Sequence, residues 1–230
     1  MMVRRGVLGL LAGSAAAMLV ACNTGNSIRY KITIEVKTPE GVRSGFAVRE
    51  VTYKPASSGW FPLGEAKGSA KLRGEAVVID LPEGKSLFAL LTSGEGDLNH
   101  AAMDLPGIFH QLNSDQVQLW PDPPQLREPI IANPLPMLVT FVDIDDPKSV
   151  ELVDPVNIAA SFGAGVKLTR IVIERTREPV TTGIAKRLKW LPAQKGALLK
   201  IPIADYPPSG TPLPIATNIT EVDFSQGDLK

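Results

Sequence analysis

Of 230 residues, one is cysteine, two are histidine, and the aromatic residues make up 6%. A single cysteine closes no internal disulfide and supplies no cysteine cluster for zinc or iron. His100 and His110 are too few for a histidine-rich metal site. Lysine plus arginine balance aspartate plus glutamate at 24 each. With no basic stripe, nucleic acid is excluded as an expected partner. The apolar run from Gly6 to Val20 is shorter than the roughly 20 residues that cross a bilayer as a helix. The nucleophile elbow G-x-S-x-G is missing, and "GAG" at 163–165 is too short for a phosphate loop. No cofactor and no metal is therefore expected, and no residue is assigned a catalytic role.

Proline and glycine are plentiful, 20 of each. They cut the chain into short pieces, which suits strands and turns better than long helices. Ile28, Tyr30, Ile32, Ile34 and Val36 alternate with charged or polar residues, the pattern of a half-buried strand. "TPEGVRSG" turns it, and "FAVREVTYK" returns, so residues 28–54 predict a hairpin. The apolar phase slips between Val48 and Val51, which predicts a β-bulge near Arg49 and Glu50. "GEAVVIDLP", "SLFALLTSG", "MLVTFVD", "VKLTRIVIERT" and "GALLKIPI" read as further strands. The near-continuous apolar runs among them predict strands covered on both faces. "DPVNIAASFGAG" and "VTTGIAKRLKWL" predict two short helices.

Residues 95–136 break this pattern. They hold both histidines and a proline-dense stretch, and Pro106-Gly107 is expected to interrupt any helix there. The expected fold is mainly β: an antiparallel β-sandwich with one or two short helices and a long irregular insertion over 95–136. The β-rich domain is expected over 28–204, with a Pro/Gly-rich tail at 205–230.

The first residues read as an address. Arg4 and Arg5 precede a short apolar stretch that ends in small residues, the layout of a secretory signal peptide. Leu19-Val20-Ala21-Cys22 closes it, and this resembles the lipobox of bacterial lipoproteins. The resemblance implies that residues 1–21 are removed and that Cys22 is lipidated. Residues 22–27 are then an acylated tether, and the lipid bilayer is the first partner. Removal of residues 1–21 takes Arg4 and Arg5 from 24 basic residues set against 24 acidic ones, so the mature net charge is −2. Asn23, where an aspartate would favour the inner membrane, points to the outer membrane. The expected location is the bacterial cell envelope, facing the periplasm. The segments "YKITIEVKTPEGVRSG" and "MLVTF" to "RLKWL" also resemble parts of uncharacterised proteobacterial proteins, a resemblance that carries no activity.

Three groups of side chains are candidates for function. Asp143, Asp145, Asp146, Glu151 and Asp154 could ligate calcium, yet Pro147 breaks the EF-hand spacing and Asp-Asp-Pro is common turn chemistry. His100 and His110, with nearby carboxylates, would be the acid–base pair if the protein were an envelope hydrolase. Trp120, Trp60 and Phe61 lie in loop-like context and could anchor an envelope protein partner. The favoured expectation is a binding or structural module of the envelope. A mobile-element-encoded envelope protein is a further alternative.

Overall fold

The computed structural model of the chain describes residues 26–54, 69–93, 100–126 and 135–227. The signal segment, Cys22, Trp60 and Phe61 lie outside the described residues.

Strand β1 (Asn26–Thr38) and strand β2 (Gly41–Lys54) form the expected hairpin. Their register runs without a break from Asn26↔Tyr53 to Thr38↔Gly41. The alternation of β1 buries Tyr30, Ile32, Ile34 and Val36 on one face. The expected bulge at Arg49–Glu50 is absent. The phase slips because Arg49 itself points inward, opposite Tyr30, and is fully buried. Val48 points outward, yet it is buried too, because the chain at Thr181 crosses it. Thr181 N–H donates to the Val48 carbonyl at 3.1 Å, and its hydroxyl accepts from the Val48 N–H at 3.0 Å.

The structure is mainly β, with two antiparallel sheets packed as in a sandwich. The larger adds β3 (Ser69–Glu75), β6 (Gln116–Trp120), β9 (Lys167–Arg175) and β10 (Ser225–Gln226), in the order β10-β3-β2-β1-β9-β6. The smaller has the order β4-β5-β7-β8, from β4 (Val77–Asp80), β5 (Ser86–Ser93), β7 (Pro136–Phe141) and β8 (Val150–Leu152).

The smaller sheet is covered on both faces, as its apolar runs predict. Every residue of β5 is buried. Leu87, Ala89 and Leu91 face the core shared with the larger sheet, whereas Phe88 and Leu90 face a second core. Helix α3 (Ile184–Arg187) and the chain beyond it roof that second core with Ile184, Leu188, Leu191, Leu198, Ala216, Ile219 and Phe224. Phe88, Phe141, Trp190 and Phe224 meet edge to face there, with ring centroids 5.3–6.2 Å apart. Each such side chain contributes roughly 1.5–3 kcal/mol by burial. The segment read as a tail from residue 205 thus supplies a wall of the second core and an edge strand. The strand expected in "GALLKIPI" reduces to one bridge, Ala197↔Thr220.

The segment read as an insertion is built into the first core. A π-helical turn (His100–Asp104) runs into helix α1 (Leu105–Leu112), which buries Leu105, Ile108 and Phe109. Pro106 does not break this helix: it stands in the first turn of α1, and the Ala101 carbonyl on the preceding π-helical turn accepts from the Tyr30 hydroxyl at 2.7 Å instead. The chain then enters the larger sheet as β6. Helix α2 (Ala159–Phe162) starts later than expected, and Gly163 ends it at φ 97°.

Two contacts set the stability of this arrangement. At Gly45 the sheets approach so closely that a Cβ would lie 2.2 Å from the carbonyl oxygen of Val78. Gly45→Ala should therefore cost about 3 kcal/mol or more, read as a drop in the midpoint of urea unfolding. An unchanged midpoint would refute the close approach. In the second core, Asp223 is 2% exposed and accepts from the N–H and hydroxyl of Thr220 at 2.8 and 2.9 Å. Burial raises its pKa, offset in part by these bonds. A carboxyl raised on folding holds its proton more tightly in the folded state. Stability therefore falls as pH rises from the unfolded value, 3.8, through the folded one. Asp223→Asn keeps the acceptor and should flatten that fall, measured as Tm against pH, whereas Asp223→Ala should cost about 1–2 kcal/mol.

Candidate functional site

Trp120 is the one aromatic anchor candidate within the described residues. It ends β6, is half-buried, and packs against the first core. Its indole N–H donates to the Leu168 carbonyl at 3.2 Å. These contacts fasten the ring to the edge of the larger sheet. Trp190, at the end of the segment expected to be the second short helix, belongs to the aromatic cluster of the second core and donates to the Ile144 carbonyl at 2.9 Å.

The two histidines do not converge. His100 is fully buried on the π-helical turn, with Nδ1 3.8 Å from the Asp104 carboxylate. His110 is exposed on the last turn of α1. Among the described residues, no group of three His, Cys, Asp or Glu side chains could hold a metal ion. The carboxylate cluster serves its own backbone. Asp143 accepts from the Asp145 N–H at 3.0 Å, Asp146 from Lys148 at 3.0 Å, and Asp154 from Val156 at 2.8 Å. One oxygen each of Asp143, Asp146 and Asp154 thus serves as a turn or cap acceptor.

The polar interior lies elsewhere, around Arg49. Its Nε donates to the Glu75 carbonyl at 3.2 Å and its Nη2 to the Leu90 carbonyl at 3.4 Å, while Nη1 is buried without a partner among the described residues. Tyr30, opposite it, donates to the Ala101 carbonyl at 2.7 Å. Burial pushes the Tyr30 phenol up, and the charge of Arg49 pulls it part of the way back. Tyr53 is raised as well, by burial and then by Tyr30. The arrangement ties the first helix to both sheets, and no open cleft with a nucleophile and a base accompanies it among the described residues. Sequence reading took Arg49 for part of a bulge; its place in the inward phase of β2, between Ala47 and Val51, was the signal of a buried cation.

Outside the core, Glu50 is nearly buried on the far face of β2 and bridges Arg29 and Arg73 on the flanking strands. A groove of about 600 Å³ lies at the Thr38–Gly41 end of the hairpin. No protein-family model, no curated protein and no solved structure matches the chain. No helix among the described residues is long and apolar enough to cross a membrane.

The position of Trp120 gives a direct test. Trp120→Ala should lower stability by about 2–4 kcal/mol, because it removes a packed ring and leaves the Leu168 carbonyl without its donor. Trp120→Phe should cost less than half of that. Equal, small effects in urea unfolding would free the ring for a role at the surface.

Proposed function

We propose that the protein is a lipid-anchored lipoprotein of the bacterial envelope whose β domain faces the periplasm as a binding or structural module. The observation that carries this reading is the tetrad Leu19-Val20-Ala21-Cys22 at the end of a basic-then-apolar leader. In a lipobox the cysteine sulfur takes a diacylglycerol thioether, the leader is cut off, and the new amine is acylated. Each buried CH₂ contributes about 0.8 kcal/mol, and two or more chains make a stable anchor. This chemistry also accounts for a single cysteine at that position.

Chain length sets how close the domain would sit to the membrane in this reading. Strand β1 begins at Asn26, four residues after Cys22. Four residues reach no more than about 14 Å when fully extended. A tether that short would hold the first strand of the larger sheet close to the bilayer. Asn23 favours the outer membrane over the inner one. The sandwich would supply the surface and the acyl chains the address.

The test is Cys22→Ser in the full chain. Fatty-acid probe labelling and membrane association should both be lost, with the protein recovered in the soluble fraction. Labelling of the serine variant equal to wild type would refute acylation at Cys22.

A further inference from the structure

We propose that the groove at the Thr38–Gly41 end of the hairpin docks an extended, acidic peptide segment of a partner protein. Its volume, about 600 Å³, lies in the range of binding sites. Lys37, Pro39, Val156, Ile158, Gly165 and Lys167 are among the residues that line it. Pro39 sits on Gly165, where an added Cβ would come within 3.1 Å of the proline ring.

Charge identifies the occupant. Lys37 on β1 and Lys167 on β9 are direct partners across the strands, so both side chains leave the sheet on the same face. Like charges placed opposite each other destabilise a sheet. Both lysines are exposed, and neither has an ion-pair partner among the described residues. The neighbouring carboxylates are already engaged: Glu35 lies 3.5 Å from Arg170, and Glu40 2.9 Å from Arg43. The fold thus places two cations side by side at the groove and supplies no anion for them.

The rim adds apolar surface. Val156 is 77% exposed, and Val42, the partner of Lys37 on β2, is 65% exposed. The row Val42–Lys37–Lys167 crosses three strands. An extended peptide carries side chains of one face about 6.6 Å apart. A peptide of alternating glutamates and leucines carries all its glutamates on one face and its leucines on the other, so it would set carboxylates on the lysines and leucines against Val156. The groove also lies 12 residues along β1 from Asn26, a rise of about 40 Å, so it opens far from the start of the domain. The docking argument holds whether or not Cys22 is acylated.

The test uses the full chain in detergent and a fluorescein-labelled peptide of alternating leucine and glutamate, followed by anisotropy. The control peptide carries glutamine for glutamate. Wild type should bind the glutamate peptide at least about tenfold more tightly than the control, and K37E/K167E should lose at least about tenfold in affinity. K37E alone turns a like-charge pair into an opposite-charge pair. It should weaken binding while leaving Tm unchanged or raised, which separates docking from folding. No binding by wild type, equal affinity for the glutamine control, or unchanged affinity of K37E/K167E would each overturn the proposal. So would a sedimenting dimer that K37E/K167E dissolves, which would assign the groove to a second copy, or preferential binding of an anionic oligosaccharide.

Discussion

A single buried guanidinium joins the two sheets. Arg49 belongs to the larger sheet, yet its hydrogen bonds go to the Glu75 carbonyl at the end of β3 and to the Leu90 carbonyl of β5. The chain leaves one sheet and enters the other across Glu75 and Ala76, so Arg49 holds that corner from inside. Gly74 is required beside it, because a Cβ there would come within 2.7 Å of the Arg49 side chain. Removing a cation from water costs several kcal/mol, and carbonyl dipoles offset only part of that cost. Arginine tolerates the site because its planar, weakly hydrated guanidinium spreads one charge over several donors.

The second consequence of that corner is a layered molecule. With β4 and β5 carried under the larger sheet, one face of the smaller sheet is spent on the first core. Its other face would be exposed apolar surface if the chain after β9 did not cover it. Phe224, Ile219, Leu191 and Ile184 do so, and the Ala76 N–H donates to the Phe224 carbonyl at 2.8 Å. The C-terminal chain carries little regular structure, but it completes a core, and its two-residue strand closes the edge at β3.

Function in such a molecule is read from its ends and surfaces. The described interior shows polar groups that brace the fold and no convergent catalytic set. The address proposed above rests on the tetrad that ends at Cys22. The far end of the hairpin carries paired lysines that folding alone does not call for.

Much of this was legible in the residues. Period two in β1 specifies which face is buried, because alternate side chains of a strand point to opposite sides. The unbroken apolar runs of β5 and β7 specify strands covered twice. The tetrad Leu19-Val20-Ala21-Cys22 resembles a lipobox, a local pattern whose reading needs no fold. What the sequence could not settle depends on long-range neighbours. Whether Arg49 marks a bulge or a buried cation depends on carbonyls 26 and 41 residues away. Whether Pro106 breaks a helix or starts one depends on where the preceding turn begins. Whether residues 205–227 are a tail or a wall depends on an apolar face built by strands far earlier in the chain. The pairing of Lys37 with Lys167 exists only once β1 and β9 are adjacent, since strand register across 130 residues leaves no local trace. The sequence alone determined the mainly β class and the first hairpin. The tertiary structure decided the layers, the corner at Arg49 and the groove, because each is a contact between segments that have no local reason to meet.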